Sequence, residues 1–244
     1  MKIIAHRGAS GEFPENSLLA FEQAILQEAD GIELDVHFHN PSQQFIVLHD
    51  QYLDEITNAK GQINQYSLDE LTQLPLGQEQ KLLTLSQALA TIAGRTLVNI
   101  EVKSACSDKS ILNLHLSALK LQINQAIEHH GFSSRQFVIS SFNHHFIKQS
   151  KIKLPKYTTA ALIAHNPLDV ACFANELKCK AINPAIECLD QAFVTKAHQL
   201  GLEVWVYTVD RKEDIDICQQ IKVDAIFTNF PKKVRNYLSN CNDS

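Results

Sequence analysis

Short apolar runs alternate along this chain with longer stretches whose apolar residues recur every three or four positions. The first run, Ile3-Ile4-Ala5, is followed by a glycine-rich loop carrying Pro14, and Asn16 stands where a helix N-cap is expected. Leu18, Phe21 and Ile25 then share one helical face, Gly31 marks the turn, and Ile32 begins a second strand. The same order of helix, glycine and strand recurs with Gly94 before residues 96–103, Gly131 before 137–142 and Gly201 before 203–209. Glycine just past a helix supplies the left-handed backbone that stops it. Further strands are predicted at 157–163, 180–183 and 224–228, with helices over 110–130, 167–177, 189–200 and 211–221.

Alternating strands and helices call for a parallel sheet. One run breaks the rule: the link from Val36 to Phe45 is shorter than the roughly dozen residues that a parallel crossover needs. Residues 45–48 are therefore expected to return antiparallel through the turn Asn40-Pro41-Ser42, as a hairpin arm on the second strand. Eight parallel strands remain, beginning near Lys2, Gly31, Leu97, Phe137, Thr158, Lys180, Glu203 and Asp224. That is the pattern of an α/β fold, a (β/α)8 TIM barrel, with residues 1–244 as one domain. Residues 51–80 are polar and weakly patterned, with one short helix at 67–71, and are expected to form a small insertion over the barrel mouth.

Composition changes this picture little. With 45% hydrophobic residues the chain suits a substantial core, and its net charge of -5 argues against a nucleic-acid partner. No apolar run approaches a signal peptide or a membrane span, so a cytoplasmic location without stable membrane insertion is expected. The six cysteines lack ligand spacing and are expected to be reduced thiols.

The candidate chemistry lies at the predicted C-terminal ends of the strands, where barrels of this kind carry their functional groups. His6 and Arg7 end the first strand, Glu33 and Asp35 lie on the second, His49 closes the hairpin arm, and Glu101 and Lys103 lie on the third. Glu33 and Asp35 are two residues apart and point to the same face, as do Glu101 and Lys103. Three converging carboxylates repel one another unless a cation sits among them, and oxygen-only ligands favour one divalent ion, Mg2+ or Ca2+. The competing reading is a buried salt-bridge network of Glu33, Asp35 and Glu101 with Arg7 and Lys103. His6 and His49 are candidates for an acid and a base, whereas His37, His39, His115 and the remaining histidines are expected at the surface.

The order of these residues resembles a known family, the glycerophosphodiester phosphodiesterases. The matching positions are His6-Arg7-Gly8, Pro14-Glu15-Asn16-Ser17, Ala20-Phe21, Glu33-Leu34-Asp35-Val36 and His49-Asp50. They continue through Asn99-Ile100-Glu101-Val102-Lys103, Ser140-Ser141-Phe142, Asn183-Pro184, Tyr207-Thr208-Val209-Asp210 and Thr228-Asn229 before Pro231. Essentially the whole chain is covered, and its compact length looks like the cytoplasmic bacterial branch.

The resemblance implies a barrel that hydrolyses deacylated phospholipids, such as glycerophosphocholine or glycerophosphoethanolamine, to sn-glycerol 3-phosphate and an alcohol. It implies Glu33, Asp35 and Glu101 as metal ligands and His6 and His49 as the catalytic pair. Arg7 and Lys103 would bind phosphate, Ser141 and Phe142 would line the pocket, and Tyr207 would stand against the glycerol where the family usually has tryptophan. Departures from the pattern are Tyr207, Asp210 in place of asparagine, Asn229 in place of aspartate, Glu55 in place of arginine, and the longer hairpin turn. Competing readings are a lysophospholipase D or phospholipase C-like barrel acting on lipid, and a binding barrel without catalysis. The expected partner is a small-molecule substrate, with a homodimer left open. Also open are the roles of the two histidines and the nucleophile, either water or the neighbouring glycerol hydroxyl.

Overall fold

Eight parallel strands, β1 (Lys2–Ala5), β2 (Gly31–His39), β3 (Leu97–Lys103), β4 (Phe137–Ser141), β5 (Thr158–Ile163), β6 (Ala181–Pro184), β7 (Glu203–Val206) and β8 (Ala225–Thr228), pair in chain order. The ring closes because β1 pairs with both β2 and β8, so the barrel has the architecture that the sequence predicts. The structure, a computed structural model, describes residues 1–242 except 105 and 170 and gives no side chains for 241 and 242. Of the cysteines, 106, 172, 179, 188 and 218 are free thiols; the expectation for Cys241 lies outside the described residues. No helix among the described residues is long and apolar enough to cross a membrane.

Among the described residues, eight helices pack outside the ring: α1 (Leu18–Leu26), α2 (Leu85–Ile92), α3 (Lys109–His129), α4 (His144–Lys153), α5 (Cys172–Glu176), α6 (Gln191–Gln199), α7 (Lys212–Gln220) and α8 (Pro231–Asn242). Helices α2 and α4 are not among the predicted helices, although Leu85, Ala88, Leu89 and Ile92 of α2 recur at helical spacing, and caps mark the start of both. Thr84 and Gln87 form a reciprocal capping box on α2, and the Asn143 side chain accepts from the backbone N–H groups of His145 and Phe146 on α4. The N-cap of α1 is Ser17, one residue later than expected, because Asn16 is used elsewhere. Helix α5 keeps only one turn of the predicted 167–177 segment.

Alternation along each strand sorts the side chains. Outward residues such as Ile32, Leu34, Val98, Ile100 and Ile139 join the helices in the main core. Inward residues Ile4, Val138, Ala160, Ala181, Trp205, Ala225 and Phe227 fill the lower barrel, so it is a packed core and not a pore. The next inward position on several strands is polar, and the site is built there.

The hairpin arm Gln44–Val47 returns antiparallel to β2, with Val36 opposite Val47 and His39 opposite Gln44. The segment after it is less polar in effect than its pattern implies. Leu53, Ile63, Leu71 and Leu82 are buried with Ile46 and Leu48 of the arm, which gives the insertion a small core of its own. The expected short helix is present at Leu68–Leu71, capped by Ser67.

The turn after β1 depends on Gly8, whose φ is +80°. A Cβ there would lie 2.7 Å from the Ala20 carbonyl carbon. Gly8→Ala is therefore expected to cost about 1–3 kcal/mol through strain and overlap, and thermal unfolding should show a lowered Tm. An unchanged Tm would show that the turn relaxes freely.

Candidate active site

Asp35 is the hub. Its side chain is 1% exposed, and it meets Arg7 Nε at 3.1 Å and Lys103 Nζ at 3.0 Å. Asn16 Nδ2 donates to Asp35 Oδ2 at 3.1 Å, and the Asp35 backbone N–H donates to Asn16 Oδ1 at 3.3 Å. This is the use that takes Asn16 away from the helix cap, and its φ of 55° turns it toward the barrel. Asn16 is a site residue that reasoning from helix caps misses, although it sits inside the matched Pro-Glu-Asn-Ser run.

Glu101 lies beside Asp35 in the parallel register of β2 and β3, and Lys103 pairs with both carboxylates. Glu33, two residues before Asp35, accepts from the Arg7 backbone N–H at 2.9 Å, while its other oxygen is buried with no hydrogen-bond partner. Ligand oxygens of Glu33, Asp35 and Glu101 all lie within 4.8 Å of one another.

The electrostatics of this group are unbalanced. Burial, joined by the charges of Asp35 and Glu101, pushes Glu33 well above the usual carboxylate range. Burial and Asp35 push Glu101 up as well. Asp35 is also raised by burial, but Lys103 and Arg7 outweigh that and hold it low. Arg7 thus serves Asp35, Lys103 is divided between Asp35 and Glu101, and Glu33 is left with no ion-pair partner and an orphaned buried oxygen. The salt-bridge reading of the sequence accounts for Asp35 and not for Glu33. A hard divalent cation fits the oxygen donors, and the triad can hold one.

The cationic residues differ in what they have free. Arg7 is committed, with Nη1 donating to both oxygens of Glu15 at 3.1 and 2.9 Å in addition to Asp35. Its φ of 55° at the end of β1 folds it back onto the rim. Lys103 faces the open cavity and lies 6.0 Å from the centre of the Phe142 ring.

A cavity of about 480 Å³ opens above the carboxylates, lined by His37, His49, Tyr52, Glu101, Lys103 and Phe142 among others. Ser141 also borders it, but its hydroxyl donates to the Val102 carbonyl at 2.7 Å and accepts from the Asn143 N–H, so it braces the rim. A smaller inner space is lined by His6, Glu33, Asn99, Glu101, Leu162, Tyr207 and Phe227. Tyr207 donates its hydroxyl to the Ile163 carbonyl at 2.8 Å and sets its ring edge-on to Phe142 at 6.0 Å. All ten residues singled out from the sequence therefore gather at one end of the barrel.

The two histidines enter from opposite sides. His6 lies half-buried just past the end of β1, and its removal from water, followed by the Arg7 charge, lowers it to about 4, so it is neutral at neutral pH. His49 arrives on the hairpin arm, 34% exposed, with Nδ1 3.3 Å from Asp50 Oδ1. His37 donates from Nε2 to the His49 backbone carbonyl at 2.8 Å, tying the arm to β2. His37 is half-buried, and His39 and His115 are buried, so the expectation that they lie at the surface is corrected. Their strand and helix faces turn inward, and His39 is satisfied by Ser42 and the Tyr66 carbonyl.

Residues 6–233 match the Glycerophosphoryl diester phosphodiesterase family. A glycerophosphodiester phosphodiesterase of Caldanaerobacter subterraneus subsp. tengcongensis is 29% identical over 244 residues, covering 97% of each chain. One from Bacillus altitudinis is 28% identical over 246 residues, covering 95% of this chain and 96% of that protein. Among solved structures, an Oleispira antarctica phosphodiesterase in complex with the product sn-glycerol-3-phosphate superposes with a TM-score of 0.87 at 23% identity, covering 98% of this chain and 97% of that one. A Silicibacter pomeroyi protein described as a glycerophosphoryl diester phosphodiesterase superposes with a TM-score of 0.90 at 20% identity, covering 99% and 94%.

Neutral His6 makes stability depend on pH. Its folded value of about 4 lies below the ordinary histidine value of 6.5, so the unfolded chain binds the extra proton between them. Stability is expected to fall as pH drops from 6.5 toward 4, by about 3 kcal/mol for this group, with no contribution above that window. Urea unfolding across the range should show a shallower acid loss in His6→Gln; parallel curves for the two proteins would refute the assignment.

Proposed function

The chain belongs to the glycerophosphoryl diester phosphodiesterase family, a class of phosphoric diester hydrolases, and from that premise we propose that it cleaves soluble glycerophosphodiesters to sn-glycerol 3-phosphate and an alcohol. Glycerophosphocholine and glycerophosphoethanolamine are the proposed substrates, and the cytoplasm the proposed compartment. The observation that carries the reading is the gathering of His6, His49, Arg7, Lys103 and three buried carboxylates at the C-terminal rim, beside the open cavity and the smaller inner space. Polar residues Asp50, Gln51, Ser104 and Asn143 border that cavity, which favours a water-soluble substrate over a lipid embedded in a bilayer. The product bound to the Oleispira antarctica relative agrees with this substrate class.

Glu33, Asp35 and Glu101 would hold one divalent cation, Mg2+ or Ca2+, which when bound supplies charge neutralisation at the phosphate. The remaining work falls to the chain itself. Lys103 offers an accessible ammonium to the phosphate oxygens, where charge builds up in the transition state. Arg7 is already forked onto Glu15 and Asp35, so it acts by holding Asp35 ionised and adding long-range positive charge. Tyr207, Leu162 and Phe142 present apolar surface to the glycerol carbons.

The two imidazoles handle the protons. As the attacking oxygen bonds to phosphorus, one imidazole takes its proton; as the bond to the leaving alcohol breaks, the other protonates the departing oxygen. The sum consumes one water. When the glycerol hydroxyl attacks first, a cyclic phosphate forms and water opens it in a second round of the same transfers.

Purified protein incubated with glycerophosphocholine is expected to release sn-glycerol 3-phosphate when Mg2+ or Ca2+ is present and to lose turnover in chelator. Glu33→Gln should reduce kcat at least about a hundredfold while leaving the metal-free fold as stable as the parent or more so, because it removes a repelling buried charge. Release of product at the same rate with chelator, or undiminished turnover in Glu33→Gln, would overturn the metal role. Cleavage of lipid vesicles alone would overturn the soluble substrate.

A further inference from the structure

A chain of hydrogen bonds runs from His6 away from the cavity. His6 Nδ1 lies 2.8 Å from Asn229 Oδ1 at the end of β8, and Asn229 Nδ2 donates to Asp210 Oδ2 at 2.6 Å. Asp210 is held in turn: its Oδ1 accepts from the Asn229 backbone N–H at 2.8 Å and from Thr228 Oγ1 at 2.8 Å. Ser10 closes the other side, with its hydroxyl 2.6 Å from the His6 carbonyl and 2.8 Å from Asn229 Oδ1.

The donor and acceptor roles along this chain have one consistent solution. A carboxylate only accepts, so the NH2 end of the Asn229 amide must face Asp210. The reverse orientation would set two acceptor oxygens 2.6 Å apart. The amide oxygen therefore faces His6, and because it too only accepts, the proton of the neutral ring sits on Nδ1. The opposite edge of the ring, carrying Nε2, is left to the inner space shared with Glu33, Glu101 and Tyr207.

We propose that Asp210 and Asn229 are positioning residues that lock His6 in its Nδ1–H tautomer, so that the bare Nε2 lone pair is the proton acceptor of the reaction. The proposal rests on the reading of His6 as a proton-transfer group and deepens it by giving that group a direction. Asp210 and Asn229 are also two of the positions at which the sequence departs from the pattern it resembles, by interchange of an asparagine and an aspartate. The interchange keeps the logic intact: either order places an acceptor against Nδ1 and a donor behind it. What differs is that here the acceptor is a neutral amide, whose orientation depends on Asp210.

The test measures tautomer and turnover separately. Nitrogen-15 NMR of histidine-labelled protein at neutral pH should show His6 protonated on Nδ1, a measurement that needs no variant at the relay. In Asp210→Asn the amide of Asn229 loses the partner that orients it. An Nε2–H form of His6 should then appear, and kcat should drop about a hundredfold with KM near the parent value, the lower range of what an acid–base group contributes. In the double variant Asp210→Asn with Asn229→Asp, a carboxylate again accepts from Nδ1. The tautomer should return and most of kcat with it, a rescue that a merely structural role would not produce. An Nε2–H tautomer in the parent protein overturns the proposal. So does unchanged tautomer and kcat in Asp210→Asn, or a folded double variant no better than the single one. Full turnover in His6→Gln would instead overturn the functional reading beneath it, while the NMR result still judges the relay alone.

Discussion

The structure depends on how Asp35 is held. A carboxylate sealed inside a barrel is tolerable only if its charge is matched and its lone pairs are occupied. Arg7 and Asn16 from the loop after the first strand and Lys103 from the third strand all converge on this one side chain. Because those partners come from two separate segments, the pairing joins the loop after β1, strand β2 and strand β3 into one rim. It also draws Arg7 and part of Lys103 to Asp35, and so leaves Glu33 without an ion-pair partner of its own.

That imbalance separates a site from a structural salt-bridge network. Had Arg7 and Lys103 been shared evenly among three carboxylates, the cluster would be self-contained. Instead Arg7 is anchored to Glu15 and Asp35, Lys103 leans between Asp35 and Glu101, and Glu33 keeps an unpartnered buried oxygen. Burial and mutual repulsion then act together on Glu33 and Glu101, which is the environment a divalent cation relieves.

The two histidines reach the cavity with opposite kinds of support. His6 sits just past the end of β1, half-buried and backed by Asn229 and Asp210 from the segments that follow β8 and β7, across the seam where the ring closes. His49 rides on an antiparallel arm, partly exposed, beside Asp50 and tethered to β2 by His37. Two rings held by different hydrogen-bond partners, one at the closing seam of the barrel and one on the arm, give the rim two imidazoles of unlike character.

Much of this was legible in the sequence, because strand periodicity is local. Apolar runs and stop glycines located the eight strands closely, and the two-residue spacing of Glu33 with Asp35 and of Glu101 with Lys103 placed each pair on an inward face. The shortness of the link before Phe45 determined the hairpin and hence the return of His49. Tertiary structure decided what local pattern does not carry: which partner each polar group meets across the closed ring. Asn16 reads as a helix cap until Asp35 is seen to claim it, and Arg7 reads as free for phosphate until Glu15 and Asp35 occupy it. Asp210 and Asn229 read as departures from a pattern until ring closure brings β8 against β1 and sets them behind His6. Side-chain direction along a strand follows from chain geometry over a few residues. Hydrogen-bond partnership between residues more than two hundred apart exists only once the barrel has closed.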